Sequence, residues 1–135
     1  MTDTLAPTRT LRFTQWIDPL AAGGFDADSD DALVTCLSPF LGPTAVLLLH
    51  RISRYLVPPA IDTWALDDLA ATFGVTPSKL IASLTRLDRF GMIRTVGTHI
   101  EVRTQVPPLP ARHIERMPAY LAAAYPFRHT TAGAA

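Results

Sequence analysis

Residues 69–93 read LAATFGVTPSKLIASLTRLDRFGMI, and their punctuation decides the fold. Gly74 supplies a left-handed residue that ends a helix running from Leu66 to Phe73, and Asp67 and Asp68 suit the positive end of that helix. Val75 plugs the turn, Thr76 caps the next helix and Pro77 takes its first position, where a missing N–H costs nothing. That next helix is expected over residues 77–90, with Gly91 ending it. At 100° per residue, Leu80, Leu84 and Leu87 share a narrow arc that Ile81 extends, so this is the core side. Ala70, four residues before Gly74, is small enough for two helices to cross closely.

Upstream, Gly42-Pro43-Thr44 opens an earlier helix in which Leu48, Ile52, Tyr55 and Leu56 recur at helical spacing. His50, Arg51, Ser53 and Arg54 take its other side, and Val57-Pro58-Pro59 stops it. Ile61 to Ala65 reads as a short strand. Downstream, Met92–Val96 and Ile100–Val106 flank a Gly97-Thr98 break as a hairpin would. Pro107-Pro108-Leu109-Pro110 is a stiff connector to a helical tail that Pro118 splits. The N-terminal third is less regular. Residues 1–12 are polar and read as a loose lead; Phe13, Trp16, Ile17 and Leu20 fit either a short helix or an extended arm. Gly23-Gly24 breaks this segment, Asp26–Asp31 forms an acidic loop, and Asp30 or Asp31 can cap a short helix through Leu37. The apolar content of residues 13–37 is too high for a disordered segment, so an acidic extension over 13–41 is expected to pack on the domain. A chain of 135 residues, 48% hydrophobic and 18% charged, has room for one such domain and one core.

The order helix, strand, helix, tight glycine turn, helix, hairpin resembles the winged helix-turn-helix superfamily over residues 42–106, giving a mainly α, α+β chain with an N-terminal extension and C-terminal helices at 107–135. The whole chain is also similar to a family of small actinobacterial proteins with winged-helix cores. Trp16 with Asp18-Pro19, Leu41-Gly42-Pro43-Thr44, and Pro107-Pro108-Leu109-Pro110 carry that likeness. It supplies no activity. The superfamily likeness implies a double-stranded DNA-binding transcriptional regulator, its third helix (77–90) in the major groove and its wing (93–106) along the flanking backbone. Ser78, Lys79, Ala82, Thr85, Arg86 and Arg89 occupy the arc opposite the core side, and the wing adds Arg94, Thr95, His99 and Arg103. Asp88 is the one acid between Pro77 and Arg94.

Charge pulls both ways. Twelve basic and twelve acidic residues cancel, an argument against a nucleic-acid partner. The cancellation is uneven: before Cys36 six acids face Arg9 and Arg12, a net −4, and after it ten basic residues face six acids, a net +4. The alternative is therefore a winged-helix adaptor that holds a protein partner without touching DNA. Catalysis finds no support: His50, His99, His113 and His129 lack ligand spacing, no phosphate loop follows a strand, and a single cysteine excludes an internal disulfide and a cysteine-based zinc site. No cofactor is expected. Trp16 and Trp64 read as core residues because no basic cluster surrounds them in sequence. The N-terminus lacks signal-peptide order and the longest apolar run, Ala45–Leu49, is far too short to span a bilayer, so a cytoplasmic protein without a membrane partner is expected. Ile114, Met117, Leu121 and Tyr125 form one helical stripe that must bury itself, either as a homodimer contact or on its own domain.

Overall fold

Two short turns, at Gly74 and Gly91, fix the helical part of the molecule. In the computed structural model, which describes residues 9–19, 25–27, 37–56 and 61–125, the elements are β1 (Thr10–Trp16), β2 (Phe25–Asp26), α1 (Pro43–Arg54), β3 (Ile61–Ala65), α2 (Leu66–Thr72), α3 (Pro77–Arg89), β4 (Ile93–Val96), β5 (His99–Arg103), β6 (Gln105–Val106), α4 (Ala111–Ile114) and α5 (Ala119–Ala124). Residues 37–41 are also helical. The class is α+β. Most of the acidic loop, the short helix expected before Leu37, and the Val57-Pro58-Pro59 stop lie outside the described residues.

At the first turn, Val75 N–H donates to the Ala70 carbonyl (3.0 Å) and Gly74 N–H to the Ala71 carbonyl (3.0 Å), with Gly74 at φ +67. The second turn repeats the pattern: Met92 N–H reaches Leu87 O (2.9 Å), Gly91 N–H reaches Asp88 O (3.0 Å), and Gly91 sits at φ +76. Each closes the last carbonyls of a helix while reversing the chain, and each needs a left-handed residue. Thr76 Oγ1 accepts from Lys79 N–H (3.1 Å), and Pro77 opens α3 as its composition requires. Both α1 and α2 pack against α3, with Leu69, Ala70, Leu80 and Leu87 essentially inaccessible between them. Ser53, expected on the solvent side of α1, is buried instead, its hydroxyl donating to the His50 carbonyl (3.2 Å). Local satisfaction of the hydroxyl is what lets it sit there.

The sheet has the order β3-β1-β5-β4. β1 runs antiparallel to β3 (Leu11↔Trp64, Phe13↔Asp62) and parallel to β5 (Phe13↔Ile100, Trp16↔Arg103), while β4 and β5 form the antiparallel hairpin. The extended arm is thus a central strand. It begins at Thr10, inside the stretch expected to be loose, with Leu11 and Phe13 buried. Leu66 N–H donates to the Arg9 carbonyl (2.8 Å), so the same strand also meets the start of α2. β2 and β6 make a separate two-stranded pair.

The tail folds back on its own chain. His113 stacks on Phe40 (4.8 Å between centroids) and meets Phe90 edge-on (5.0 Å), and the Leu109 N–H donates to the Tyr125 hydroxyl (3.1 Å). Ile114, Met117, Leu121 and Tyr125 are 8, 6, 8 and 3% exposed in the single chain. The stripe is therefore covered by its own domain, the alternative to the homodimer contact expected of these four side chains. Among the described residues no helix is long and apolar enough to cross a membrane.

Two substitutions test this architecture. A Cβ at Gly74 would meet nothing within 4 Å, so Gly74→Val isolates backbone strain and is expected to lower stability by about 1–2 kcal/mol in denaturant melts. A variant that melts with the wild type would show the turn to be misplaced. Phe13→Ala is expected to cost about 3–5 kcal/mol because it empties a core position. A loss below roughly 1 kcal/mol, the range of surface changes, would mean β1 is not part of the core.

Candidate nucleic-acid interface

The amphipathic pattern of α3 divides it cleanly. Leu80, Ser83, Leu84 and Leu87 are buried, whereas Ser78, Lys79, Ala82, Thr85, Arg86 and Arg89 are all exposed. That exposed arc forms one wall of an open cleft of about 510 Å³, and the start of α1, residues 41–45, forms the other. α1 begins at Gly42 with no side-chain cap and no acid in its first turn, and Pro43 has no N–H. The positive end of its dipole is therefore uncompensated beside Lys79, Arg86 and Arg89. Among the described residues no Asp or Glu lines the cleft. Its chemistry suits an anion.

The cations there are not equivalent. Arg86 donates from Nε (2.9 Å) and Nη2 (2.6 Å) to the Phe40 carbonyl, and its guanidinium lies 5.8 Å from the Phe90 ring centre. Its outer position, read from periodicity as free for a ligand, also closes a carbonyl of the 37–41 helix. Lys79 and Arg89 have no side-chain partner among the described residues. Thr85 Oγ1 donates to the Ile81 carbonyl (3.0 Å), leaving its lone pairs available.

The wing is engaged more heavily. Arg94 pairs with Glu101 (2.6 Å) and lies 4.3 Å from the Trp16 ring centre. Arg103 is held by Asp18 (2.8 Å), by the Gly91 carbonyl (2.7 Å) and by the same indole at 3.8 Å, and its side chain is only 12% exposed. Arg103 is a strut between the N-terminal segment and the end of α3. Trp16, which lacks basic neighbours in sequence, thus has two in space. Thr95 is exposed and His99 half-buried near the hairpin turn. That Asp18 and Trp16 hold the wing arginines is not legible in the sequence, because β1 meets the hairpin through a parallel pairing between segments far apart in the chain. Arg9 and Arg12 escaped the sequence reading: the alternation of Arg12 with buried Leu11 and Phe13 was the available signal. Among the described residues no group of three or more His, Cys, Asp or Glu side chains is placed to hold a metal ion.

Comparison with protein-family models, with curated proteins and with solved structures finds no match to this chain in any of the three.

His113 ties the C-terminal end of α3 to the rest of the molecule through Phe40 and Phe90, and its Nδ1 is buried with no hydrogen-bond partner among the described residues. Burial, reinforced by the charges of Arg112 and Arg116, holds its pKa below the ordinary 6.5. The unfolded chain therefore takes up a proton that the folded chain resists. Stability from the neutral ring is complete above about pH 6.5 and falls as the pH drops from there to the depressed folded value. His113→Phe should flatten the part of the melting-temperature profile between pH 7.5 and 5.5 that this ring causes. A variant profile parallel to the wild type would remove His113 as the cause.

Proposed function

We propose that the chain is a winged helix-turn-helix protein that binds double-stranded DNA as a transcriptional regulator, with α3 in the major groove and the β4–β5 wing along the flanking backbone. The supporting observation is the cleft, lined by no acid among the described residues, in which the exposed arc of α3 stands beside the uncapped start of α1. A phosphate meeting that cleft gains charge-assisted contacts and a helix dipole, while Ser78, Ala82 and Thr85 offer short side chains to base edges. Zero net charge is no obstacle to such local complementarity, because screening limits distant charges to about 8 Å at physiological salt.

Three of the expected contact residues, Arg86, Arg94 and Arg103, are bound within the chain, and that favours the second reading, an adaptor whose exposed surface holds a protein. Ile114, Met117, Leu121 and Tyr125 are covered by their own chain, so a homodimer that pairs two half-sites would join through another surface.

A salt-dependent mobility shift separates the readings. Wild-type protein should shift a subset of a broad duplex set at low salt. Lys79→Ala with Arg89→Ala should weaken binding by roughly 1–3 kcal/mol per base contact, and the deficit should shrink with salt where the contacts are to phosphate. Both side chains are exposed, so the variant's melting temperature should stay at the wild-type value. No shift by the wild type on any duplex would leave the adaptor reading in place.

A further inference from the structure

The wing's own arginines are neutralised by Glu101 and Asp18, yet the wing end of the sheet is not without free positive charge. The parallel register of β1 on β5, with Phe13 opposite Ile100, brings the start of β1 level with the turn of the β4–β5 hairpin. There Arg9 and Arg12 line an open cleft of about 210 Å³ together with Thr95, Gly97, Thr98 and His99, and among the described residues no acid lines it. Both arginines are exposed, and neither side chain has a hydrogen bond or ion pair among the described residues. Their backbone is nevertheless fixed. Leu11 and Phe13, on either side of Arg12, are 4 and 1% exposed, and the Arg9 carbonyl accepts from the Leu66 N–H at 2.8 Å. Arg12 is thus displayed from a strand anchored by buried neighbours, and Arg9 from the residue just before it, beside hydroxyl groups of the hairpin. This is an arrangement for a phosphodiester backbone: the guanidinium fork matches two phosphate oxygens, and a rigid support reduces the entropy lost on contact.

We propose that Arg9 and Arg12 contact phosphates of duplex DNA beside the base pairs that α3 reads, so that the N-terminal strand supplies the charge for the wing end of the interface. This rests on the DNA-binding reading of α3. It makes the strand β1 both a structural member of the sheet and part of the binding surface.

The test is the salt dependence of affinity for one duplex that the wild-type protein shifts, measured for wild type, Arg9→Ala with Arg12→Ala, and Arg9→Lys with Arg12→Lys. Each phosphate contact contributes about 0.9 to the slope of log affinity against log salt. The alanine pair should flatten the slope by about 1.8, so between 50 and 200 mM salt the wild type should lose about twelvefold more affinity than the variant. The lysine pair, which keeps the charge, should retain the wild-type slope, and all three proteins should share a melting temperature. An alanine pair with the wild-type slope overturns the proposal while leaving α3 as a reader. A uniform loss of affinity with no change of slope overturns it too. Wild-type protein that shifts no duplex overturns the α3 reading itself, and this proposal with it.

Discussion

The parallel pairing of β1 with β5 is the contact on which the arrangement depends. β3 and β5 do not touch as strands; β1 lies between them and bonds to both. Without it the strand that leads into α2 and the hairpin that follows α3 would each face an open edge, with unpaired backbone groups next to the core. Burial of Leu11 and Phe13 drives the strand inward, and the sheet hydrogen bonds then fix its register. That register places Trp16 against Arg94 and Arg103, and Asp18 against Arg103. The orientation of the hairpin relative to α3 follows, because Arg103 also bonds the Gly91 carbonyl at the end of that helix.

The helical part was legible because its determinants are local. Gly74, Thr76, Pro77 and Gly91 act within a few residues of themselves, and the spacing of Leu80, Leu84 and Leu87 names the buried face without reference to anything else. β1 was not legible as a strand. Its partners in β5 lie far down the chain (Phe13 pairs with Ile100), and a parallel pair has no turn to announce it. The tail shows a different limit. Periodicity says that Ile114, Met117, Leu121 and Tyr125 must be covered, and it carries no information about whether a second copy or the same chain covers them. Phe40 and Phe90, which hold the tail in place through His113, are unremarkable in sequence.

The candidate site was legible as a face and not as a set of contacts. All six α3 positions chosen from the helical arc are exposed, because exposure follows from period alone. What a guanidinium does with its donors depends on what lies within reach. Arg86 finds the carbonyl of Phe40, 46 positions away, and Arg94 and Arg103 find carboxylates. Arginine suits all these tasks since it stays charged whether it is buried or free, so residue type cannot separate a strut from a ligand. Only the third dimension sorts Arg103, at 12% side-chain exposure, from Arg89.

The central place of β1 has a consequence for how the molecule comes into being. The strand leaves the ribosome before either of its neighbours exists, and the residues it pairs with in β5 are among the later ones made. Helices α1, α2 and α3 can nucleate as they emerge, from contacts near in sequence, while the nascent sheet cannot close. Loop-closure entropy across most of the chain must be met before a single β1–β5 bond forms, which raises the contact order and slows the final step. Until then β1 exposes Leu11 and Phe13 to any passing strand, and the arginines set between and beside them give that waiting segment a charge that discourages the wrong partner.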